Sequence, residues 1–246
     1  MPPAVKDERH GDHKNVSSPY IDRLYGRRQD KSLKPRQARL MRELLPRVAI
    51  GETVGLDGEP SIDLKAQFPE FSEIWLEIGF GGGEHLAWQA AANRDVLIIG
   101  AEPFINGVAK LLVAIEDTNL RNVRIVHGDA RPFLSALAPA QIDRLFVLHP
   151  DPWPKRRHHK RRLVSPWFFE AAARALRPGS ELRIASDIPD YIRWTLMHAR
   201  AAPDFEWCAK TADDWKVRAE DWPQTRYEQK AIAEGRTPTY LRFKRR

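Results

Sequence analysis

A single cysteine, Cys208, in a chain of 246 residues rules out an internal disulfide and any paired-cysteine metal or redox motif, and it fits a reducing compartment. Eight histidines are present, but His158 and His159 are adjacent inside a basic run and no pair has zinc-ligand spacing, so no metal role is expected. No apolar stretch reaches membrane-spanning length, and the N-terminus lacks the apolar core of a secretory signal. The expectation is a cytoplasmic protein without membrane association. Internal repeats and low-complexity tracts are absent as well. Acid is the scarcer charge: 33 Asp and Glu face 40 Lys and Arg, a net +7 with a pI near 9.6. That imbalance favours a polyanionic partner, although a mild excess of this size also occurs in proteins that touch no nucleic acid.

What is present is ordinary globular material, 42% hydrophobic and 30% charged, enough for one domain with a full core and some extra at the ends. Residues 1–18 are polar and nearly free of large apolar groups, so they cannot offset the entropy of ordering and read as a disordered tail. Residues 19–72 form a basic arm ending in a short helix. Residues 1–40 carry ten Lys and Arg against five Asp and Glu, which suits either a solvated arm or one that tracks phosphates. From residue 73 to 246 apolar runs of strand length alternate with helix-length segments, the pattern of βαβ units and a parallel sheet. Strands are expected at 74–79, 96–101, 123–126, 144–148 and 181–185, with helices starting near Glu84, Phe104, Arg131, Pro166 and Pro189. Pro178-Gly179 should punctuate the chain between the fourth helix and its strand. Two late β-like runs, 205–209 and 240–244, close the chain.

The first strand runs into Glu77-Ile78-Gly79-Phe80-Gly81-Gly82-Gly83-Glu84. In an open α/β sheet ligands bind at the carboxyl ends of strands, and glycines there let the backbone turn tightly against a cofactor. Glu102 follows the second strand, where a carboxylate bonds ribose hydroxyls, and Asp129 follows the third. A dinucleotide fingerprint would place a third glycine where Glu84 stands, and carboxylates on both sides of the turn would repel a pyrophosphate. They suit S-adenosylmethionine, whose sulfonium and ammonium are cationic and which carries no phosphate. The order E-x-G-x-G-x-G resembles the cofactor motif of the Rossmann-like methyltransferases.

The fourth strand ends in Leu148-His149-Pro150-Asp151-Pro152-Trp153-Pro154, followed by Lys155-Arg156-Arg157-His158-His159-Lys160-Arg161-Arg162. Three prolines stiffen the backbone around Asp151 on the edge that carries the glycine turn, and the basic run would bring phosphates there. With these segments and the late Thr225-Arg226-Tyr227-Glu228-Gln229, the chain resembles the bacterial tRNA (guanine-N7)-methyltransferase family over residues 74–243, more loosely over 23–35. The resemblance implies an α/β, class I methyltransferase fold, a mostly parallel seven-stranded sheet with helices on both faces and an antiparallel last strand. It implies methylation of guanosine 46 in the tRNA variable loop by S-adenosylmethionine, in a monomer or homodimer. It puts cofactor contacts on Glu77, Gly79, Gly81, Gly83, Glu102, Asp129 and Asp151, with Asp151 also the catalytic acid. Substrate contacts fall on Lys155, Asp187 and the Thr225, Arg226, Tyr227, Glu228 segment, and Arg157 and Arg161 occupy basic positions of the same loop. The sequence departs from the family pattern at His149, where an aromatic or apolar residue is usual, and in its long N-terminal tail.

Guanine N7 has a lone pair and no proton, so its methylation needs no general base, in keeping with the lack of a nucleophile triad. A carboxylate on the guanine N1–H and N2–H edge would select the base and stabilise the positive charge that develops; Asp151, Asp187 and Glu228 are the candidates. In A-form RNA the N7 edge is inaccessible, so the base must leave its stack, and Trp153 and Tyr227 are candidates to stack on it. The competing readings are an exocyclic-amine methyltransferase, since Asp-Pro-Trp-Pro loosely resembles a D-P-P-W motif, a non-catalytic RNA-binding module, and a dehydrogenase.

Overall fold

The computed structural model describes residues 28–50 and 62–246; the 1–18 tail expectation and the first part of the arm lie outside them. Short β-branched and leucine-rich runs set the centre of the molecule. β1 (Glu73–Ile78), β2 (Val96–Ala101), β3 (Val123–Val126), β4 (Ile142–Leu148) and β5 (Leu176–Ser186) pair in parallel, as expected for strands apolar on both faces. β6 (Phe205–Trp207) and β7 (Thr239–Arg245) complete a seven-stranded sheet of order β3-β2-β1-β4-β5-β7-β6, in which β7 runs antiparallel to both neighbours. The order reverses between β1 and β4, which opens a crevice beyond their carboxyl ends.

Helices cover both faces. α1 (Pro35–Glu43), α2 (Leu45–Val48), α4 (Glu84–Ala92) and α5 (Ile105–Thr118) enclose a cluster centred on Trp75, Leu111 and Phe146. α3 (Leu64–Gln67), α6 (Ala130–Ala136), α7 (Pro166–Ala175) and α8 (Pro189–Arg200) enclose the other, around Phe133, Phe168 and Tyr191. The short α9 (Asp213–Lys216) and α10 (Arg226–Ala233) lie between β6 and β7. α7 and α8 open with proline, whose missing N–H is no loss in a first turn, and the Ser165 hydroxyl accepts from the Phe168 amide.

The described part of the basic arm is built into this body. Leu40 of α1 is fully buried, and Arg36 and Arg39 both bond the Glu116 carboxylate on α5, at 2.6–2.8 Å. Upstream, the Ile105 amide donates to the Arg28 carbonyl, while Asn106 accepts from the Asp30 amide and donates to the Lys31 carbonyl. The expected boundaries shift by one or two residues at β1, β4, β6 and β7, and by more at β5, which starts at Leu176, before Pro178-Gly179. The register with β4 shifts between the Ile142 and Arg144 pairings, so the proline, which cannot donate to a ladder, bulges outward with Gly179 at φ +86°.

Candidate active site

Three glycines turn the chain between β1 and α4, with Gly79, Gly81 and Gly83 at φ +74°, +57° and +79°. A Cβ on Gly79 would meet nothing within 4 Å, so the turn leaves open space on its cleft side. α5 is seated against the turn: a Cβ on Gly107 would lie 2.1 Å from the Gly81 carbonyl oxygen, so only glycine fits there. Tyr227, at the start of α10, covers the turn, with its ring 3.0 Å from where a Gly81 Cβ would stand.

Glu102 at the end of β2 is nearly buried, and its two carboxylate oxygens accept from the Gly81 and Phe104 amides at 2.8 and 2.9 Å. Each oxygen keeps a further lone pair for a ligand hydroxyl. Burial pushes this carboxyl above the usual range, the two backbone bonds oppose the shift, and Asp151 and Glu77 add to it. Asp129 caps α6 through the Arg131 amide and is paired with the Arg131 guanidinium at 2.5–2.8 Å. Glu77 lies beneath the turn, 2% exposed, with Oε2 2.7 Å from His85 Nδ1. Gln89 Nε2 is 3.2 Å from His85 Nε2 and donates to the Asp221 carbonyl at 2.8 Å, so the ring's Nε2 accepts from Gln89 and its Nδ1–H donates to Glu77.

Beyond β4, His149 and Trp153 hold φ of +49° and +41°, a region that side-chain-bearing residues seldom occupy. Strained backbone thus stands on either side of Asp151, locked by three prolines and by the His149 amide donating to the Ala185 carbonyl at 2.8 Å. The Asp151 side chain reaches solvent, yet the protein around it pushes its carboxyl above the ordinary aspartate range.

The basic run forms a 3-10 helix, Arg156–Arg161, and its charges divide. Lys155, Arg156, Arg157 and Lys160 are exposed, and the Arg161 guanidinium lies 4.9 Å from the Trp153 ring centre. Arg162 turns inward, bonding the Pro152 carbonyl at 2.8 Å and Asp190 at 2.5 Å, and so braces the proline-rich turn against α8.

One cleft of about 1290 Å³ brings together Gly79, Gly81, Glu102, Asp129, Asp151, Arg161, Arg226 and Tyr227, with Asp30, Lys31 and Asn106 on the side of the arm. Glu77, Gly83, Lys155, Arg157, Asp187, Thr225 and Glu228 are not in its wall. Asp187 accepts from Arg236 at 2.5 Å and sits 3.2 Å from His149 Nδ1; burial disfavours its charge, but these partners outweigh that and hold it below the usual range. The Thr225 hydroxyl caps α10 by accepting from the Glu228 amide. The Glu228 carboxylate, 2% exposed, accepts from Tyr240 at 2.6 Å and pairs with Arg218 at 3.1 Å, which ties α10 to β7. Sequence reasoning passed over Asn106, Gly107 and Arg162: the first two look like ordinary helix residues, and the third is indistinguishable in sequence from its solvated neighbours.

Among the described residues no group of three or more His, Cys, Asp or Glu could hold a metal ion, and no helix is long and apolar enough to cross a membrane.

Residues 72–241 match the family model described as "Putative methyltransferase". A tRNA (guanine-N(7)-)-methyltransferase of Ruegeria sp. is 50% identical over 225 residues, covering 90% of this chain and 87% of that protein. Its counterpart in Rhodospirillum rubrum is 48% identical over 225 residues, 91% and 88% of the two chains. Among solved structures, the 16S rRNA methyltransferase KamB superposes with a TM-score of 0.52 at 15% identity, over 75% of this chain and 94% of that one. The antibiotic-resistance methyltransferase Kmr gives 0.51 at 20% identity, over 74% and 91%; at such identities the likeness concerns the fold. Fold and cleft together define a Rossmann-like, S-adenosylmethionine-dependent methyltransferase. Within that class, the chain belongs to the tRNA (guanine-N(7)-)-methyltransferase family.

Proposed function

We propose that this chain methylates N7 of a guanine in tRNA, at position 46 of the variable loop, and that the cleft beyond β1, β2 and β4 is where it does so. The observation that carries the reading is the sharing of one cleft by an open glycine turn, the ribose-type acid Glu102, the strained Asp151 turn and the cationic face of the 3-10 helix. The residues fit S-adenosylmethionine: the turn is bracketed by carboxylates, the cradle at Gly79 is open, and Glu102 retains acceptor capacity. When bound, S-adenosylmethionine supplies an electrophilic methyl group. Gly79, Gly81, Glu102 and Asp129 would hold it, with Glu77 contributing charge from beneath the turn.

Asp151 is the acid that meets the base. Its carboxylate accepts from the guanine N1–H and N2–H edge and interacts more strongly with the cationic purine that forms than with the neutral one. No side chain removes a proton, because N7 carries none. Lys155, Arg157 and Arg161 receive tRNA phosphates, and Arg226 and Tyr227 close over the turn from the opposite side. Asp187, Thr225 and Glu228 act by fixing His149, α10 and hence Tyr227 in place. A tRNA substrate places the reaction in the cytoplasm.

Incubating the protein with labelled S-adenosylmethionine and unmodified tRNA, followed by nucleoside analysis and mapping, tests this. N7-methylguanosine at position 46 is expected. Label in an exocyclic amine, or bound tRNA without transfer, would overturn the reading.

A further inference from the structure

His85 is a titratable group that the proposed reaction leaves unused, and it is shut away from the cleft. It stands in the first turn of α4, with Gln89 one turn further on and Glu77 of β1 beside it, each at most 3% exposed. Polar side chains sealed in together must satisfy one another, so the direction of each hydrogen bond can be read from the outermost partner inward.

The Asp221 carbonyl can only accept, which fixes the Gln89 amide nitrogen on its side at 2.8 Å, and Asn93 Nδ2 donates to the Gln89 side-chain oxygen at 3.3 Å. The second Gln89 N–H is left for His85 Nε2, 3.2 Å away, and that nitrogen must accept. The one proton of the neutral ring then lies on Nδ1, 2.7 Å from Glu77 Oε2, and the carboxylate oxygen accepts in turn. A proton on Nε2 would set two donors face to face. Phe146 of β4 meets the ring edge-on at 4.8 Å and holds its plane. A backbone carbonyl in the segment between α9 and α10 thus decides that Glu77 turns a lone pair, and not a proton, toward His85.

Glu77 comes two residues before Gly79, where the turn leaves open space on its cleft side. Its charge is felt in the cleft: the Glu102 carboxyl, raised chiefly by its own burial, is pushed further by Asp151 and Glu77. We propose that His85 is a positioning residue for the amino-acid end of the cofactor. By donating to Glu77 it holds the carboxylate oriented beneath the glycine turn, so that the site favours an adenosine ligand carrying an α-ammonium over one that lacks it. The proposal rests on the charge role given to Glu77 above. A buried carboxylate deprived of its donor is costly and relaxes from its place, so loss of the imidazole should act on the ligand's cation and leave its adenosine alone.

Calorimetry with S-adenosylhomocysteine and with 5′-methylthioadenosine tests this, because both are uncharged at sulfur and only the first has the amino-acid end. His85→Phe keeps a ring in the packed space and removes the donor. It should weaken S-adenosylhomocysteine on the order of tenfold and change 5′-methylthioadenosine by less than about twofold. His85→Asn, whose amide nitrogen can stand near the Nδ1 position, should recover most of the loss. If His85→Phe does not fold, Gln89→Leu takes its place: without the Gln89 donor the ring proton is no longer confined to Nδ1, and the same selective loss is expected. Equal losses for the two ligands, no loss for either, or an asparagine variant as weak as the phenylalanine one would overturn the assignment of His85. Glu77→Gln keeps an acceptor and removes the charge, and it should reproduce the selective loss. If it leaves both affinities unaltered, the charge role of Glu77 falls instead.

Discussion

Glu102 brings a nearly buried carboxylate into the cleft wall with each oxygen half satisfied by a backbone amide. Removing it would delete the proposed ligand contact and also free the Gly81 amide that fixes the turn. Glu102→Ala should therefore weaken S-adenosylmethionine binding by about 1–3 kcal/mol, while tRNA affinity changes little. Calorimetry decides this, and an unaltered cofactor affinity would remove Glu102 from the site. Gly107 offers a second residue-scale test, because its role is purely spatial. A methyl group there would meet backbone rather than a yielding side chain, so α5 and the glycine turn must part. Gly107→Ala should cost the fold about 1–3 kcal/mol, typical of overpacking, and weaken cofactor binding more than tenfold. Thermal melts with and without cofactor measure both effects; a variant with native cofactor affinity would show that the turn tolerates displacement.

The turn and 3-10 helix from His149 to Arg161 work as a unit, the strained proline-rich part fixing Asp151 and the helical part spreading cations beside it. Reversing Lys155, Arg157 and Arg161 to Glu should abolish tight tRNA binding and leave cofactor affinity intact. The residual binding should show a shallower dependence of affinity on salt, since each lost phosphate contact removes close to one unit of slope. A wild type whose tRNA affinity ignores salt would mean the helix is merely a solvated face. At this scale the sequence was informative where burial alone decides structure. The five parallel strands are two-sided apolar runs and are legible to within two residues of their observed bounds, apart from the early start of β5, because Pro178-Gly179 reads as a break when it is in fact a bulge. The glycine turn, Glu102, Asp129 and Asp151 were legible from position at strand ends. The partners of the other acids were not. Glu228 reads in sequence as a candidate base-reading carboxylate, and its engagement by Tyr240, brought there by the antiparallel return of β7, and by Arg218, from the segment between α9 and α10, is not visible locally. The inward turn of Arg162 is likewise decided by Asp190 on α8, and no local pattern encodes that meeting.

Taken as a whole, the molecule has a net charge of +7 and four carboxyls in the cleft wall, of which Glu102 and Asp151 are the two held above the ordinary range, so their combined protonation should govern how its activity responds to pH. Burial of Glu102 and partial desolvation of Asp151 raise both, so each is protonated at a higher pH than an ordinary carboxyl of about 4, and the acid limb of the reaction should lie above that value. The sign follows directly: a raised carboxyl loses its charge earlier as pH falls, and both proposed roles, accepting from the ribose and accepting from the guanine edge, are weakened without that charge. Asp187 shifts the opposite way through Arg236 and His149 and stays ionised across the range, so it adds no limb. Glu102→Gln should leave a limb set by Asp151 alone, separating the two. Above the limb nothing remains to be deprotonated, and single-turnover methylation with saturating tRNA should be flat to about pH 8.5, unlike a base-catalysed reaction. Above roughly pH 9 the guanine N1 proton leaves, a donor becomes an acceptor, and the Asp151 carboxylate meets repulsion, so the rate should fall. Checking tRNA structure at each pH isolates the chemical step from unfolding of the substrate. A rise of about tenfold per pH unit between about 7 and 8.5 would show a proton being removed before or during transfer, and the assignment of Asp151 as a reader of the neutral guanine edge would fall with it.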